Sequence, residues 1–251
     1  MTAIPATVRC LLLDIEGTVT PLSFVHDVLF PYARIRVREF LKRNRDQEAV
    51  QRDLAGLDEE HATDVSAGRN PPAVPAGKLG EQIDSLTAYV HWLMDQDRKS
   101  TALKSLQGKI WKEGYERGDL HATVFSDVQP AFQGWQKAGA EIAIFSSGSV
   151  LAQQMLFAHT TAGDLTGYIA TYFDTNIGPK IDSTSYEKIA ALLKRRSDEI
   201  LFTSDSVDEL DAAHSAGMQT RFSVRPGNKV ESKPVRHHKI NSFDEIRELS
   251  H

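Results

Sequence analysis

Seven polar residues stand at or just beyond the points where apolar runs stop. In "LLLDIEGTVT" three leucines, Leu11 to Leu13, give way to Asp14 and Glu16. "EIAIFSSGS" ends in Ser146, Ser147 and Gly148, "YFDTNIGPK" carries Asp174 and then Lys180, and "EILFTSD" closes on Asp205. Two carboxylates brought together from different segments repel strongly unless a cation sits between them. Oxygen ligands without a His or Cys cluster favour Mg²⁺. Hydroxyls and a glycine just before a helix offer O–H and backbone N–H donors to an anion. Lys180 adds a compact positive charge suited to phosphate. Together these residues describe a phosphoryl site with a metal.

Such a site needs elements that bring the four segments to one edge. Five runs read as buried strands: Val8 to Asp14, Glu141 to Ser147, Tyr168 to Asp174, Glu199 to Asp205 and Thr220 to Val224. Most are apolar on both faces, as in a parallel sheet covered on both sides. Between them, "SYEKIAALLKRR" places Tyr186, Ile189, Ala190 and Leu193 on one helical face. "QPAFQGWQKAGA" has Pro130 near its start and Gly139 at its end, and "SVDELDAAHSAG" ends at Gly217. The alternation predicts a doubly wound α/β sheet, which binds ligands outside the carboxyl ends of its strands.

The alternation fails between Thr20 and His121. "EQIDSLTAYVHWLM" and "STALKSLQGKIW" carry helical spacing there, with Trp92 and Trp111 expected in a helical core. The polar stretch Asp58 to Gly77, with Pro71, Pro72 and Pro75, reads as a long loop. The expected organisation is an α/β core of residues 1–19 and 122–251 with a helical cap domain, residues 20–121, inserted after the first strand.

The chain has 251 residues and a formal net charge of -5. A mildly acidic chain argues against nucleic acid or an anionic membrane as partner. A single cysteine, Cys10, excludes an internal disulfide framework and reads as a small core residue. No run approaches the roughly 18 apolar residues that span a bilayer. "MTAIPATVRC" has no charged head followed by a long apolar segment. Cytoplasm, a small-molecule phosphate ester as partner and a monomer are the expectations.

"DIEGT", "SSGS", the lysine of "IGPK" and the "SD" of "LFTSD" match in order and spacing the four motifs of the haloacid dehalogenase (HAD) superfamily. The resemblance narrows with "DIEGTVTPLSFVHDVLFPY", "DRKSTALKSLQGKIW", "FSSGSVLAQQMLF", "YFDTNIGPKIDSTSY" and "VRPGN", which resemble the enolase-phosphatase E1 family of methionine salvage over nearly the whole chain. Glu16, where most of the superfamily has a second Asp, is a mark of that group; Val19 stands where the group commonly has Thr. The resemblance implies a HAD-like core with a helical cap. It implies that Asp14 is a nucleophile forming an aspartyl-phosphate. It implies Mg²⁺ held by Asp14, Asp205 and the Glu16 position, where the wider superfamily uses the backbone carbonyl. Ser146, Ser147 and Lys180 would bind the substrate phosphate. Glu16 could protonate the leaving alkoxide and later activate water. The sequence does not fix the base that takes the enolisation proton, for which Glu16 is one candidate. The implied reaction enolises 2,3-diketo-5-methylthiopentyl-1-phosphate and then removes its phosphate, leaving an acireductone. Phe24 is a candidate contact for the methylthio group.

Each residue also has an ordinary reading. Asp14 alone could close a turn, Ser146 and Ser147 could cap a helix, and Lys180 could be a solvated charge. Asp208 and Glu209 read as structural acids of a helix first turn. His237 and His238 read as a solvated loop. "FSSGSV" lacks the G-x-S-x-G elbow of a serine hydrolase. Two rivals remain: a HAD phosphatase or phosphomutase acting on another small phosphate ester, and a non-enzymatic module using the fold as a scaffold.

Overall fold

The first apolar run folds as strand β1 (Cys10–Leu13), and each of its four residues has no exposed surface. The computed structural model describes residues 7–74 and 79–246. Five further strands join β1: β2 (Glu141–Phe145), β3 (Thr171–Phe173), β4 (Ile200–Ser204), β5 (Gln219–Ser223) and β6 (His238–Ile240). All neighbours are parallel, in the order β3-β2-β1-β4-β5-β6. Eight α-helices are present among the described residues: α1 (Phe30–Asn44), α2 (Glu48–Ser66), α3 (Leu79–Asp95), α4 (Thr101–Glu116), α5 (Val128–Lys137), α6 (Val150–Ala158), α7 (Ser183–Leu193) and α8 (Val207–Ser215). None is long and apolar enough to cross a membrane.

The fold class expected from the sequence is the one observed, an α/β parallel sheet with helical insertions. Strand order reverses direction between β1 and β4, so the carboxyl ends of these two strands flank the point where such sheets bind ligands. Cys10 and Leu12 turn to one face with Ala143, Phe145 and Phe202, and are covered by Tyr186 and Ile189 of α7 and Leu210 of α8. Residues alternate across a strand, so Leu11 and Leu13 serve the other face. There α5 contributes Phe132 and Trp135, both fully buried. The Trp135 indole donates to the Ile246 carbonyl at 2.8 Å and meets Phe243 edge-on. Truncating a buried leucine in such a core costs ~2–5 kcal/mol.

The strands are shorter than the apolar runs. The third run begins as a 3-10 turn, Thr166–Tyr168, before β3. The sixth strand was not expected. His238 opens β6, and the His237 side chain is only 6% exposed, between Thr220 Oγ1 at 2.8 Å and Asp211 Oδ1 at 3.0 Å. A three-residue edge strand flanked by polar residues has no legible period.

The chain divides into two units, Met1–Asp27 with Leu120–His251, and Val28–Asp119. The second unit is helical. Ser100 caps α4 by accepting from the Leu103 N–H at 3.0 Å. Trp111 is buried and donates to the Leu29 carbonyl at 2.8 Å, while Trp92 stacks on Tyr89. The expected loop from Asp58 is corrected: α2 runs on to Ser66. Its inner face is Val50, Asp53, Leu57 and Asp64. Two of these four are acids, which disguises the stripe. Asp53 pairs with Lys109 at 2.5 Å, and Asp64 accepts from Arg69, Arg98 and the Tyr89 hydroxyl at 2.6, 2.9 and 2.9 Å. Pro71 and Pro72 do lie outside any helix; Pro75 to Gly77 lie outside the described residues.

Candidate active site

Asp14 follows β1 directly and is 5% exposed; its N–H continues the ladder to the Thr203 carbonyl at 3.0 Å. The chain then closes a tight loop. The N–H groups of Thr18, Val19 and Thr20 all point to the Ile15 carbonyl, at 3.3, 2.8 and 2.9 Å, and Gly17 N–H donates to the Thr20 carbonyl at 2.8 Å. Gly17 has φ +71°, and a methyl there would overlap the Asp205 carboxylate. Both the backbone conformation and the space require glycine. Outward from this loop, the Gly17 carbonyl accepts from Ser223 Oγ at 3.1 Å and Asn228 Nδ2 at 2.9 Å. The Thr18 carbonyl accepts from Arg225 Nε at 3.1 Å. Arg225 is itself buried between the Phe125 and Phe243 rings and paired with Asp127 at 2.7 Å.

Lys180 comes from the loop after β3. Its backbone carbonyl accepts from the Tyr186 hydroxyl at 2.7 Å, which anchors the loop to α7. Its side chain is 9% exposed, and its ammonium bridges two acids: Asp14 Oδ1 at 2.5 Å and Glu209 Oε2 at 2.7 Å. Burial alone would lower the Lys180 pKa, but the Asp14 and Glu209 carboxylates outweigh it and keep the ammonium charged. The solvated-loop reading of Lys180 therefore does not hold.

Asp205 follows β4, one residue before the α8 cap Ser206. Burial, then the charges of Asp14 and Glu209, push its pKa up to about 7; Lys180 offsets part of this and Glu16 adds to it. Glu209, read from the sequence as a helix first-turn acid, turns back into the cluster. It accepts from Ser204 Oγ at 2.9 Å as well as from Lys180. Burial raises its pKa, Lys180 counters, and Asp14 adds to the rise. Its place in the first turn of α8, just after the strand-end Asp205, was the available signal.

Ser146 is buried after β2, and its hydroxyl accepts the Gly148 N–H at 3.1 Å; Ser147 is exposed. Ser149, rather than either, caps α6 by accepting from Ala152 N–H at 3.3 Å. Gln153 donates to the carbonyls of Gly148 and Phe173, both at 2.9 Å, and Asp174 Oδ2 accepts from Val150 N–H at 3.3 Å. These bonds lock the serine loop to the end of β3. The register pairs Leu13 with Ile144, so Asp14 and the two serines lie at one edge of the sheet.

Charge decides what this edge can hold. Lys180 is paired with Asp14 and Glu209. Asp205 stands beside these charges, its pKa raised first by burial and then by Asp14 and Glu209, with Glu16 adding a little. Acids outnumber the one ammonium. A hard divalent cation between Asp14 and Asp205 would remove that excess, and the all-oxygen donor set fits Mg²⁺. Among the described residues no three His, Cys, Asp or Glu side chains are grouped to hold an ion by themselves. Two carboxylates would need a backbone oxygen and waters to complete the shell, which is how Mg²⁺ is commonly bound.

Comparison with known proteins agrees with this layout. The model of the haloacid dehalogenase-like hydrolases matches residues 8–217. Enolase-phosphatase E1 of Synechococcus elongatus is 50% identical over 244 residues, covering 97% of this chain and 99% of that one. Enolase-phosphatase E1 of Sorangium cellulosum is 44% identical over 251 residues, covering 98% and 99%. The crystal structure of the UTR4 protein of Saccharomyces cerevisiae aligns with a TM-score of 0.74 at 32% identity, covering 94% of this chain and 99% of that one. Motif, fold and extent coincide, and the chain belongs to the enolase-phosphatase E1 family of the haloacid dehalogenase-like hydrolases.

Proposed function

We propose that this chain is a Mg²⁺-dependent enolase-phosphatase. In this reading it converts 2,3-diketo-5-methylthiopentyl-1-phosphate to 1,2-dihydroxy-3-keto-5-methylthiopentene and phosphate. The observation that carries the reading is the buried Lys180 bridge to Asp14, beside Asp205. A carboxylate nucleophile must approach a phosphate dianion, and like charges oppose it. Lys180, at 2.5 Å from Asp14, supplies the neutralising charge at the place where the phosphate would arrive.

Asp14 and Asp205 would hold the metal with the backbone oxygen at position 16. When bound, the metal would stabilise negative charge on a substrate carbonyl or phosphoryl oxygen. The chain's own groups do the rest. Asp14 attacks phosphorus, the bond to the substrate alkoxide breaks, and Asp14 carries the phosphoryl group. Glu16 gives its proton to the departing alkoxide and then takes one from the water that hydrolyses the aspartyl-phosphate. Ser146, Ser147 and Lys180 grip the phosphoryl oxygens. Glu16 is also our candidate base for the enolisation proton.

The test is a product assay by ¹H and ³¹P NMR in D₂O on the synthetic diketo phosphate. Loss of the substrate C–H signal together with phosphate release and enediol formation is the expected result. Phosphate release without proton exchange, or faster turnover of a sugar phosphate, would replace this reading by a plain HAD phosphatase.

A further inference from the structure

Asn228 lies in the loop after β5, far in sequence from the residues just assigned. Its amide orientation is fixed by its neighbours. Nδ2 donates to two carbonyls, Gly17 at 2.9 Å and Ser223 at 3.2 Å, and carbonyls only accept. The other end of the amide, Oδ1, is therefore turned away from them. That oxygen is buried and has no hydrogen-bond partner in the protein. Buried acceptors are rarely left so without a reason.

Its position supplies one. A methyl carbon built on Gly17 would overlap the Asp205 carboxylate and stand 3.0 Å from Asn228 Oδ1. The orphaned oxygen and the Asp205 carboxylate thus share the small space beside the Gly17 Cα. The carboxylate cannot donate to Asn228 while it is ionised. The donor that a cation on Asp205 brings is its own bound water, whose hydrogens point away from the ion toward acceptors.

We propose that Asn228 is a positioning residue of the metal site: its Nδ2 clamps the loop that follows Asp14, and its Oδ1 accepts a hydrogen bond from a water of the metal bound at Asp205. This rests on the assignment of Asp14 and Asp205 as ligands. The role is one of orientation and not of bond making. Outer partners of this kind typically set metal affinity by a factor of about 10–100.

The two ends of the amide can be tested apart. Asn228→Leu removes donor and acceptor at similar size. Asn228→Asp removes the donor and keeps an acceptor. Mg²⁺ alone is titrated into the full-length protein by isothermal titration calorimetry, with thermal melts run on metal-free samples. Asn228→Leu should bind Mg²⁺ at least tenfold more weakly. Asn228→Asp should melt lower than wild type yet bind Mg²⁺ at least as tightly. A folded Asn228→Leu protein with wild-type affinity and a lowered melting temperature would make Asn228 a structural clamp only and overturn the proposal. Should Asn228→Leu not fold, Asn228→Asp decides alone: a tenfold loss of affinity there overturns it, and retained affinity upholds it. Asp205→Asn is the control for the underlying assignment. If it binds Mg²⁺ as wild type does, the ligand assignment itself fails; if it weakens binding and Asn228→Leu does not, only the role of Asn228 fails.

Discussion

The ammonium of Lys180 lies 2.5 Å from the carboxylate of Asp14, although 166 residues separate them. Both side chains are buried, at 9% and 8% exposure, and Glu209 shares the same ammonium at 2.7 Å. Lys180→Ala should therefore lower the rate of phosphate release by at least 10²–10³, the loss on removing one preorganised donor of about 3 kcal/mol. It should also strand two buried acids, a cost of roughly 3–5 kcal/mol in metal-free protein. Steady-state kinetics and a melt with and without Mg²⁺ measure both. Near-normal kinetics in a folded variant would return Lys180 to the role of a structural counter-ion.

Asp14→Asn should separate the two chemical steps. The variant keeps the side-chain shape and one oxygen for the metal but loses the nucleophile. At saturating Mg²⁺ it is expected to exchange the substrate C–H proton in D₂O while inorganic phosphate stays at background. A metal-loaded variant that exchanges no proton would show that Asp14 serves both steps.

Asp205 should leave a pH signature on stability in the absence of metal. Its pKa in the folded chain is about 7 against an ordinary 3.8. The folded state binds this proton more tightly than the unfolded state, so stability from it is full below the unfolded value and is lost as pH rises toward 7. The loss is up to roughly 4 kcal/mol. Urea denaturation of metal-free wild type at pH 4.5 and pH 7.5 should show it, relative to Asp205→Asn, in which the dependence should shrink. A saturating Mg²⁺ concentration should flatten the wild-type curve, because the ion holds Asp205 ionised. Identical pH profiles for wild type and variant would contradict the burial of an ionisable group here.

Gly17→Ala should be far more harmful than a methyl usually is. The φ of +71° alone costs a non-glycine residue about 1–2 kcal/mol. The added carbon also collides with the Asp205 carboxylate, so Mg²⁺ affinity should fall together with the melting temperature. A variant that melts lower but binds Mg²⁺ normally would show that Asp205 can step aside.

The strands were legible because both faces of a parallel sheet are dry, so "CLLL" and "ILF" stand out as unbroken apolar runs ending in polar residues. The position of Asp14, Ser146, Lys180 and Asp205 at one sheet edge followed from that punctuation. The order of the strands did not, since nothing local distinguishes one buried run from another. Glu209 escaped because an acid in a helix first turn already has a sufficient reason to be there. The far half of α2 escaped because Asp53 and Asp64 occupy core positions, and their partners Lys109, Arg69 and Arg98 are remote in sequence. Asn228 and Arg225 were visible only as part of a resemblance; their bonds to Gly17 and Thr18 span more than 200 positions of chain.

The placement of β1 at the centre of the sheet has a consequence for how the molecule is made. Its two partners begin at Glu141 and Ile200, so no hydrogen bond of its ladder can form until much later chain has left the ribosome. At about 5–20 residues per second the delay is on the order of ten seconds or more. The helices between Val28 and Asp119 meet no such wait for partners within this stretch, since α1 packs on α3 and α4, and α2 on α4. Pulse-labelled hydrogen exchange during refolding should find amides of α2 and α4 protected before those of Leu11 to Leu13. For that interval the segment that will carry the nucleophile leaves its wholly apolar residues Leu11 to Leu13 without sheet partners.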